Sequence, residues 1–287
     1  MGFPTTELHE GANAWREFTG WCLEGQPATN RDVLIRQRMF RRPGPQWAEP
    51  PLRSVLTAAK GSADIRMRLL LAVLFAQSFR VGANGVPARP ADWARLVGLP
   101  LGGRRAASLR RIGNARNSLQ QQGWVQQARG GLITLIDKFS LTPYSSEPAA
   151  TTERRMRERD SFIATKSESQ ARYHPRHWEG PPLAVPAELW ANGWVGGLSA
   201  KSVIAFMIIL NHRDSDGMSQ VPKIRRHQYA LGTDIWTPAI DQLERRKLIR
   251  THNLGTRGAV TNVGYEVIDK TIQGQAPLGQ LKAKGVR

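Results

Sequence analysis

One cysteine, Cys22, stands among 287 residues, so the chain closes no internal disulfide and supplies no cysteine zinc cluster. A lone thiol of this kind reads as a partly buried small hydrophobe. Long apolar runs are also missing. Residues 69–75 and 204–210 fall far short of the roughly 20 residues that span a bilayer, and both read as buried helices. The N-terminus, with Glu7, His9 and Glu10, lacks the positive and apolar regions of a secretory signal, so the expected location is the cytoplasm. No Gly-Lys-Ser/Thr phosphate loop and no paired-carboxylate arrangement stands out, which leaves ATPase and nuclease readings without residues.

Acids are scarce as well. Against 23 Asp and Glu stand 41 Lys and Arg, a net charge of +18. Such a field attracts polyanions, and nucleic acid is the expected partner, with a membrane surface as its rival. The rival needs a basic amphipathic helix with a large apolar face, and none is seen. With 40% hydrophobic and 22% charged residues, the chain has ordinary globular content and enough length for two modest cores.

The charge is uneven. Residues 61–137 hold 11 basic and 3 acidic side chains, whereas 186–270 hold 11 and 8. In the first segment Asp64 is read as an N-cap before an apolar helix over 66–80, broken by Gly82, Asn84 and Gly85. Pro90 opens a short helix over 91–97, and Ser108 is read as the N-cap of a third that runs to Gln122, with Gly123 as its C-cap. Two short strands, 124–128 and 132–137, flank the turn Arg129-Gly130-Gly131.

Residues 138–185 are rich in Ser, Thr, Pro, Glu and Arg and show no apolar period over most of their length, as a connector does; Arg154, Arg155, Arg157 and Arg159 can form a short charged helix within it. The first order then returns. Predicted helices cover 199–212, 222–230 and 233–247, and strands 250–252 and 263–268 follow. The expected class is mostly α with small β-hairpins. The expected units are an N-terminal segment (1–60), a first domain (61–140), a linker (141–185), a second domain (186–270) and a flexible basic tail (271–287).

Ile112, Leu119, Gly123, Trp124 and Val125 look like the third helix and first wing strand of winged-helix proteins, and Ile240, Leu243, Lys247, Leu248 and Ile249 match that spacing. The tandem over 61–270 resembles, in architecture, plasmid replication initiators built from two winged helix-turn-helix domains. The resemblance implies a bacterial, plasmid- or nucleoid-associated protein that binds double-stranded DNA through both domains, the second being a principal reader. A regulator from a mobile element fits it equally.

On the third helix, Leu109, Ile112, Ala115 and Leu119 share one arc at about 100° per residue and form the expected inner face. Arg110, Asn114, Asn117 and Gln121 fall opposite, with Arg111 beside them. Residues 103–123 carry five arginines (104, 105, 110, 111 and 116) and no acid. Arginine pairs bidentately with guanine, and asparagine or glutamine with adenine, so this face suits base readout. Arg104 and Arg105 join the expected DNA-binding set, and Arg129 at the hairpin tip is a phosphate or minor-groove candidate.

The second domain departs from this pattern. Around Trp236, Ala239, Ile240 and Leu243, its third helix turns outward Asp234, Thr237, Asp241 and Glu244, with Arg245 at the edge, and carboxylates are repelled by phosphates. Pro238 suggests a helix that starts late or kinks. Two accounts stay open: phosphate contacts through Arg225, Arg226 and Arg257, or protein contacts, including another copy of the chain.

Residues 212–217, His-Arg-Asp-Ser-Asp-Gly, lack the later ligands of a calcium loop and read as a polar turn. Tyr173, His174 and His177 read as part of the connector. No cofactor, metal or catalytic residue is expected. Trp15, Phe18 and Trp21, three apart, read as one packed helix side, and Arg36, Arg38, Arg41 and Arg42 as a basic arm or a solvated loop. Lys282, Lys284 and Arg287 lie in the tail. The expected function is site-specific duplex binding, in replication initiation or transcription regulation; the alternative is a non-catalytic nucleoprotein-complex subunit with protein or RNA contacts.

Overall fold

The computed structural model describes residues 12–24, 32–35, 39–40, 51–57, 62–81, 86, 89–127, 133–135, 183–221, 229, 231–257 and 260–274. These are mostly helical, with small antiparallel sheets.

Helix α1 (Ala12–Leu23) puts Trp15, Phe18 and Cys22 in the interior. Its spacing of three aligns the rings, which meet edge to face at 5.9 Å, and Phe18 continues the contact to Phe75 and Trp93, each at 6.3 Å. Trp21 lies half-buried beside them. The thiol of Cys22 is fully buried, deeper than its sequence suggested.

Strand β1 (Asp32–Ile35) finds its partner 150 residues on, in β4 (Leu183–Pro186), with Asp32 opposite Pro186 and Ile35 opposite Leu183. Val33, Ile35, Leu183 and Val185 all turn inward, the period-two burial of a half-covered ribbon. Burial raises the Asp32 carboxyl above the ordinary range, and Glu188 adds to the effect.

Helix α2 (Pro51–Thr57) is held at its C-terminal end by Arg66, buried within α3 (Ala63–Ala76). Its Nε and Nη2 both donate to the Val55 carbonyl, at 3.0 and 2.9 Å, where the helix dipole is negative. Helix α3 starts earlier than the sequence indicated: Ser62 is the N-cap and Asp64 lies inside the first turn. It passes into a π-helical turn, Gln77–Val81. Helix α4 (Pro90–Leu96) has its proline at N1, where no N–H is needed.

Helix α5 (Arg105–Gln121) also begins before its predicted start. Ser108 is not its cap; it is buried one turn in, and its hydroxyl donates to the Pro100 carbonyl at 2.6 Å. The strands β2 (Val125–Gln127) and β3 (Ile133–Leu135) pair antiparallel, and Val86 bridges Ile133 from the other side.

After β4 come the short helices α6 (Glu188–Ala191) and α7 (Trp194–Gly197). Gly196 lets α7 lie on the Trp15 indole, since a Cβ there would come within 2.6 Å of the ring. Helix α8 (Ala200–Asn211) is capped by Ser199, which accepts from the Ser202 N–H, and is buried from Ser202 to Ile209. Then follow β5 (Met218–Gln220), α9 (Thr233–Arg245), β6 (Ile249–Arg257), β7 (Val260–Val267) and α10 (Asp269–Gln273). The sheet order is β5-β7-β6.

Both halves therefore share a rule: a strand segment after the first helix pairs with the last strand of the terminal hairpin. In the first half it is the single bridge at Val86; in the second it is β5. Neither was visible in the sequence. Helices α5 and α9 also end alike. The N–H groups of Gly123 and Trp124 donate to Gln120 and Leu119, and those of Lys247 and Leu248 to Glu244 and Leu243, a Schellman pattern at each site. Gly123 has φ 76° and Lys247 φ 58°. Left-handed backbone is easy for glycine and costs an L-residue roughly 1–2 kcal/mol.

The halves interlock through α3. The Asp64 carboxylate accepts the Ala200 N–H at 2.7 Å, at the start of α8. Arg68 donates to the carbonyls of Val97 and Leu198, at 2.8 and 3.3 Å, and the Trp190 indole donates to Leu71 O. Asp64 therefore does not cap its own helix, as its position suggested, but accepts from the first turn of a helix 136 residues away.

Candidate nucleic-acid interface

Helix α5 takes its orientation from a narrow apolar arc. Ile112, Ala115 and Leu119 are buried and Leu109 half-buried, as the periodicity predicted. Burying Ile112 and Leu119 contributes about 1.5–3 kcal/mol each, enough to hold the rotation of the helix. Ser108 and Ser118 share the buried side, and Ser118 accepts from the Gln122 amide at 3.2 Å.

The opposite side is largely polar, with Ala106 and Ala107 also exposed in the first turn. Arg104, Arg105, Arg110, Arg111, Asn114, Asn117 and Gln121 are all exposed. Among the described residues none of these four arginines has an ion pair or hydrogen bond, and no acid lies on the helix. Arg116 is different. It is half-buried, its Nε has no hydrogen-bond partner among the described residues, and it lines an apolar cavity with Leu69, Val73, Trp93 and Ile112. At about 40 Å³ that cavity admits water-sized guests only.

Counting charge along residues 61–137 overstates what reaches the surface. Arg66 and Arg68 turn inward to carbonyls, and burial lowers the pKa of both. Arg95 faces Asp92 at 3.9 Å. Among the described residues of 61–137 the exposed arginines are Arg89 and the four at α5, Arg104, Arg105, Arg110 and Arg111.

On α9 the buried side is Ile235, Trp236, Ala239, Ile240 and Leu243, and the Trp236 indole donates to the Tyr265 hydroxyl of β7 at 3.2 Å. Asp234, Thr237, Asp241, Glu244 and Arg245 are exposed, as their spacing predicted. Two of the acids have local structural roles. Asp234 lies in the first helical turn, where a carboxylate complements the dipole, and Glu244 Oε1 accepts the Thr251 N–H at 3.1 Å beside β6.

The late start expected from Pro238 is not found. The helix runs unbroken from Thr233 with Pro238 inside it and exposed, where the one lost N–H bond falls on the solvent side. At its other end Arg245, Arg246 and Lys247 stand in succession; the sequence reading named Arg245 and Lys247 separately and did not read the three as a cluster. The signal was there: three cations in a row at a helix terminus.

On the exposed face of the second hairpin, Glu266 accepts from His252 at 2.8 Å and Arg250 at 3.2 Å. The His252 hydrogen bond first, and the Arg250 charge with it, holds the Glu266 carboxyl below the ordinary range. The segment 212–217 is a turn. Asp214 Oδ1 accepts the N–H groups of Asp216 and Met218, Gly217 has φ 81°, and Arg213 makes a two-pronged pair with Asp269. His212 hydrogen-bonds the Tyr229 hydroxyl. Among the described residues no three His, Cys, Asp or Glu side chains are placed to hold a metal ion. Among them, too, no helix is long and apolar enough to cross a membrane.

Arg129, Arg225 and Arg226 lie outside the described residues, as do Arg36, Arg38, Arg41, Arg42, Tyr173, His174, His177 and the tail cations; Arg257 is placed as the last backbone position of β6. No protein-family model matches the chain, and neither does any curated protein or any solved structure.

Proposed function

We propose that this chain binds double-stranded DNA site-specifically through two winged helix-turn-helix units, with α5 as the reading helix. One observation carries the proposal: Arg110, Arg111, Asn114, Asn117 and Gln121 lie exposed along the outer side of α5, with exposed Arg104 and Arg105 at its start and no acid among them. Their chemistry matches the major-groove edges of guanine and adenine, and the apolar arc opposite keeps them turned outward. The order of helices and strands, with a strand segment paired to the hairpin in both halves, supports the winged-helix reading.

In this proposal Arg129, Arg225, Arg226 and Arg257 touch phosphates, which position the protein without reading sequence. Replication initiation at a plasmid or similar element, and transcription regulation, both require only such docking. Target sites repeated beside an origin favour the first, and a site overlapping a promoter the second.

The test is selection of duplexes from a random pool, followed by affinity measurements on the selected site. Arg110→Ala and Asn114→Ala are each expected to lose about 10- to 100-fold there, equivalent to roughly 1–3 kcal/mol, and to relax selectivity at one position. Equal losses on selected and random duplexes would reduce α5 to a phosphate contact. A second reading, protein or RNA contacts through the second unit, draws on Asp234 and Asp241 at the surface of α9. Altered self-association of the Asp234→Ala, Asp241→Ala variant in light scattering, with DNA binding intact, favours it.

A further inference from the structure

The C-terminal end of α9 borders an open cleft of about 530 Å³ whose described walls are Gln242, Arg245, Arg246 and Lys247. Every side chain there offers donors. The Gln242 carboxamide oxygen already accepts from the Ser199 N–H at 3.0 Å and the Ser202 hydroxyl at 2.6 Å, which leaves the NH₂ end without a described partner. Arg245 uses only its Nε, toward the Asp241 carbonyl at 3.1 Å. Among the described residues none of the three cations has an ion pair and no acid lines the cleft.

The nearest acid in sequence, Glu244, is engaged by the Thr251 N–H. Arg250, three residues beyond Lys247 in the sequence, pairs with Glu266. Cations at a helix C-terminus complement the dipole, and one exposed basic residue achieves that. Three in succession around a cleft, with a lysine in the left-handed position that glycine fills in α5, exceed that need. A cleft whose described walls are all donors fits an oxyanion held by several groups at once.

We propose that Arg245, Arg246 and Lys247 form a phosphodiester-binding site through which the second half grips the backbone of the same duplex that α5 reads. The acidic outer side of α9 is then no obstacle, because the helix meets DNA by its C-terminal end and not by its flank. This inference rests on the duplex-binding reading above.

The experiment measures duplex affinity of the full-length protein against salt concentration, on the selected site and on a random duplex. In the Arg245→Gln, Arg246→Gln, Lys247→Gly variant the log–log salt slope is expected to become shallower by roughly 2 to 3, and affinity to fall on the order of 30- to 100-fold on both duplexes. The preferred sequence is expected to stay the same, since backbone contacts carry no sequence. Arg246 is half-buried, so a second variant, Arg245→Gln with Lys247→Gly, alters exposed side chains only and is expected to reduce the slope by roughly 1 to 2. A folded variant with the wild-type slope overturns this inference and leaves the α5 reading standing. Absence of duplex binding by the wild-type protein overturns both.

Discussion

Helices α5 and α9 occupy the same place in their halves, end in the same motif and lead into the same kind of hairpin, yet their surfaces carry opposite charge. Helix α5 has arginines from its first turn to its middle and no acid; α9 has acids along its flank and its cations gathered at the far end. A shared backbone plan therefore constrains the buried arc and leaves the outer face free to diverge. Surface chemistry decides what each helix can meet, so the two halves need not do the same work.

Charge substitution tests this contrast most severely. Arg110→Glu combined with Arg111→Glu is expected to lower duplex affinity by more than about 100-fold at moderate salt, because two attractions become repulsions. Asp234→Ala combined with Asp241→Ala is expected to change it by less than about threefold and to leave the selected sequence unaltered. Fluorescence anisotropy with labelled duplex measures both. Comparable losses would mean that both helices lie in the groove.

The halves are also joined, and Asp64 is the point to cut. Asp64→Ala leaves the start of α8 without its carboxylate cap and is expected to cost about 1–2 kcal/mol. Calorimetry should give one transition at a lower temperature. Two separated transitions would show that the halves unfold independently.

The paired helix ends sharpen the comparison further, since equivalent positions predict effects of opposite sign. Gly123→Ala is expected to destabilise the protein by about 1–2 kcal/mol, and Lys247→Gly to stabilise it by about 0.5–1 kcal/mol. Urea unfolding reads both. If Lys247→Gly destabilises the protein, the lysine side chain contributes contacts that outweigh its backbone cost.

The smallest effect belongs to the second hairpin. Because the folded-state pKa of Glu266 is depressed, its contribution to stability is complete above the ordinary glutamate pKa and is lost as pH falls through the folded value. The stability difference between wild type and Glu266→Gln is expected to shrink on acidification below that range. Acid titrations of unfolding midpoints measure it, and a pH-independent difference refutes the assignment.

Much of the candidate interface was legible because helical phase is a local property. Leu109, Ile112, Ala115 and Leu119 specify which side of α5 turns inward, and the exposed residues follow by geometry. The same holds for Ile235, Trp236, Ala239, Ile240 and Leu243 in α9 and for the turn at Asp214 and Gly217. Ser108 was misread because a serine near a helix start resembles a cap until the Pro100 carbonyl is seen opposite it. Val86 and β5 were missed because a strand of one to three residues carries too few positions for an alternation to show.

From the sequence alone came the buried arcs of α5 and α9 and the opposed charge of their outer faces. These depend on neighbours within a few residues, where spacing dictates side-chain direction. Only the tertiary structure decided that Arg66 and Arg68 bind carbonyls inside the protein, that β1 pairs with β4, and that Asp64 caps α8. Each of those outcomes depends on which distant backbone group arrives opposite a side chain. An arginine carries the same charge in the sequence wherever it lies, but packing determines whether a buried carbonyl or solvent faces it.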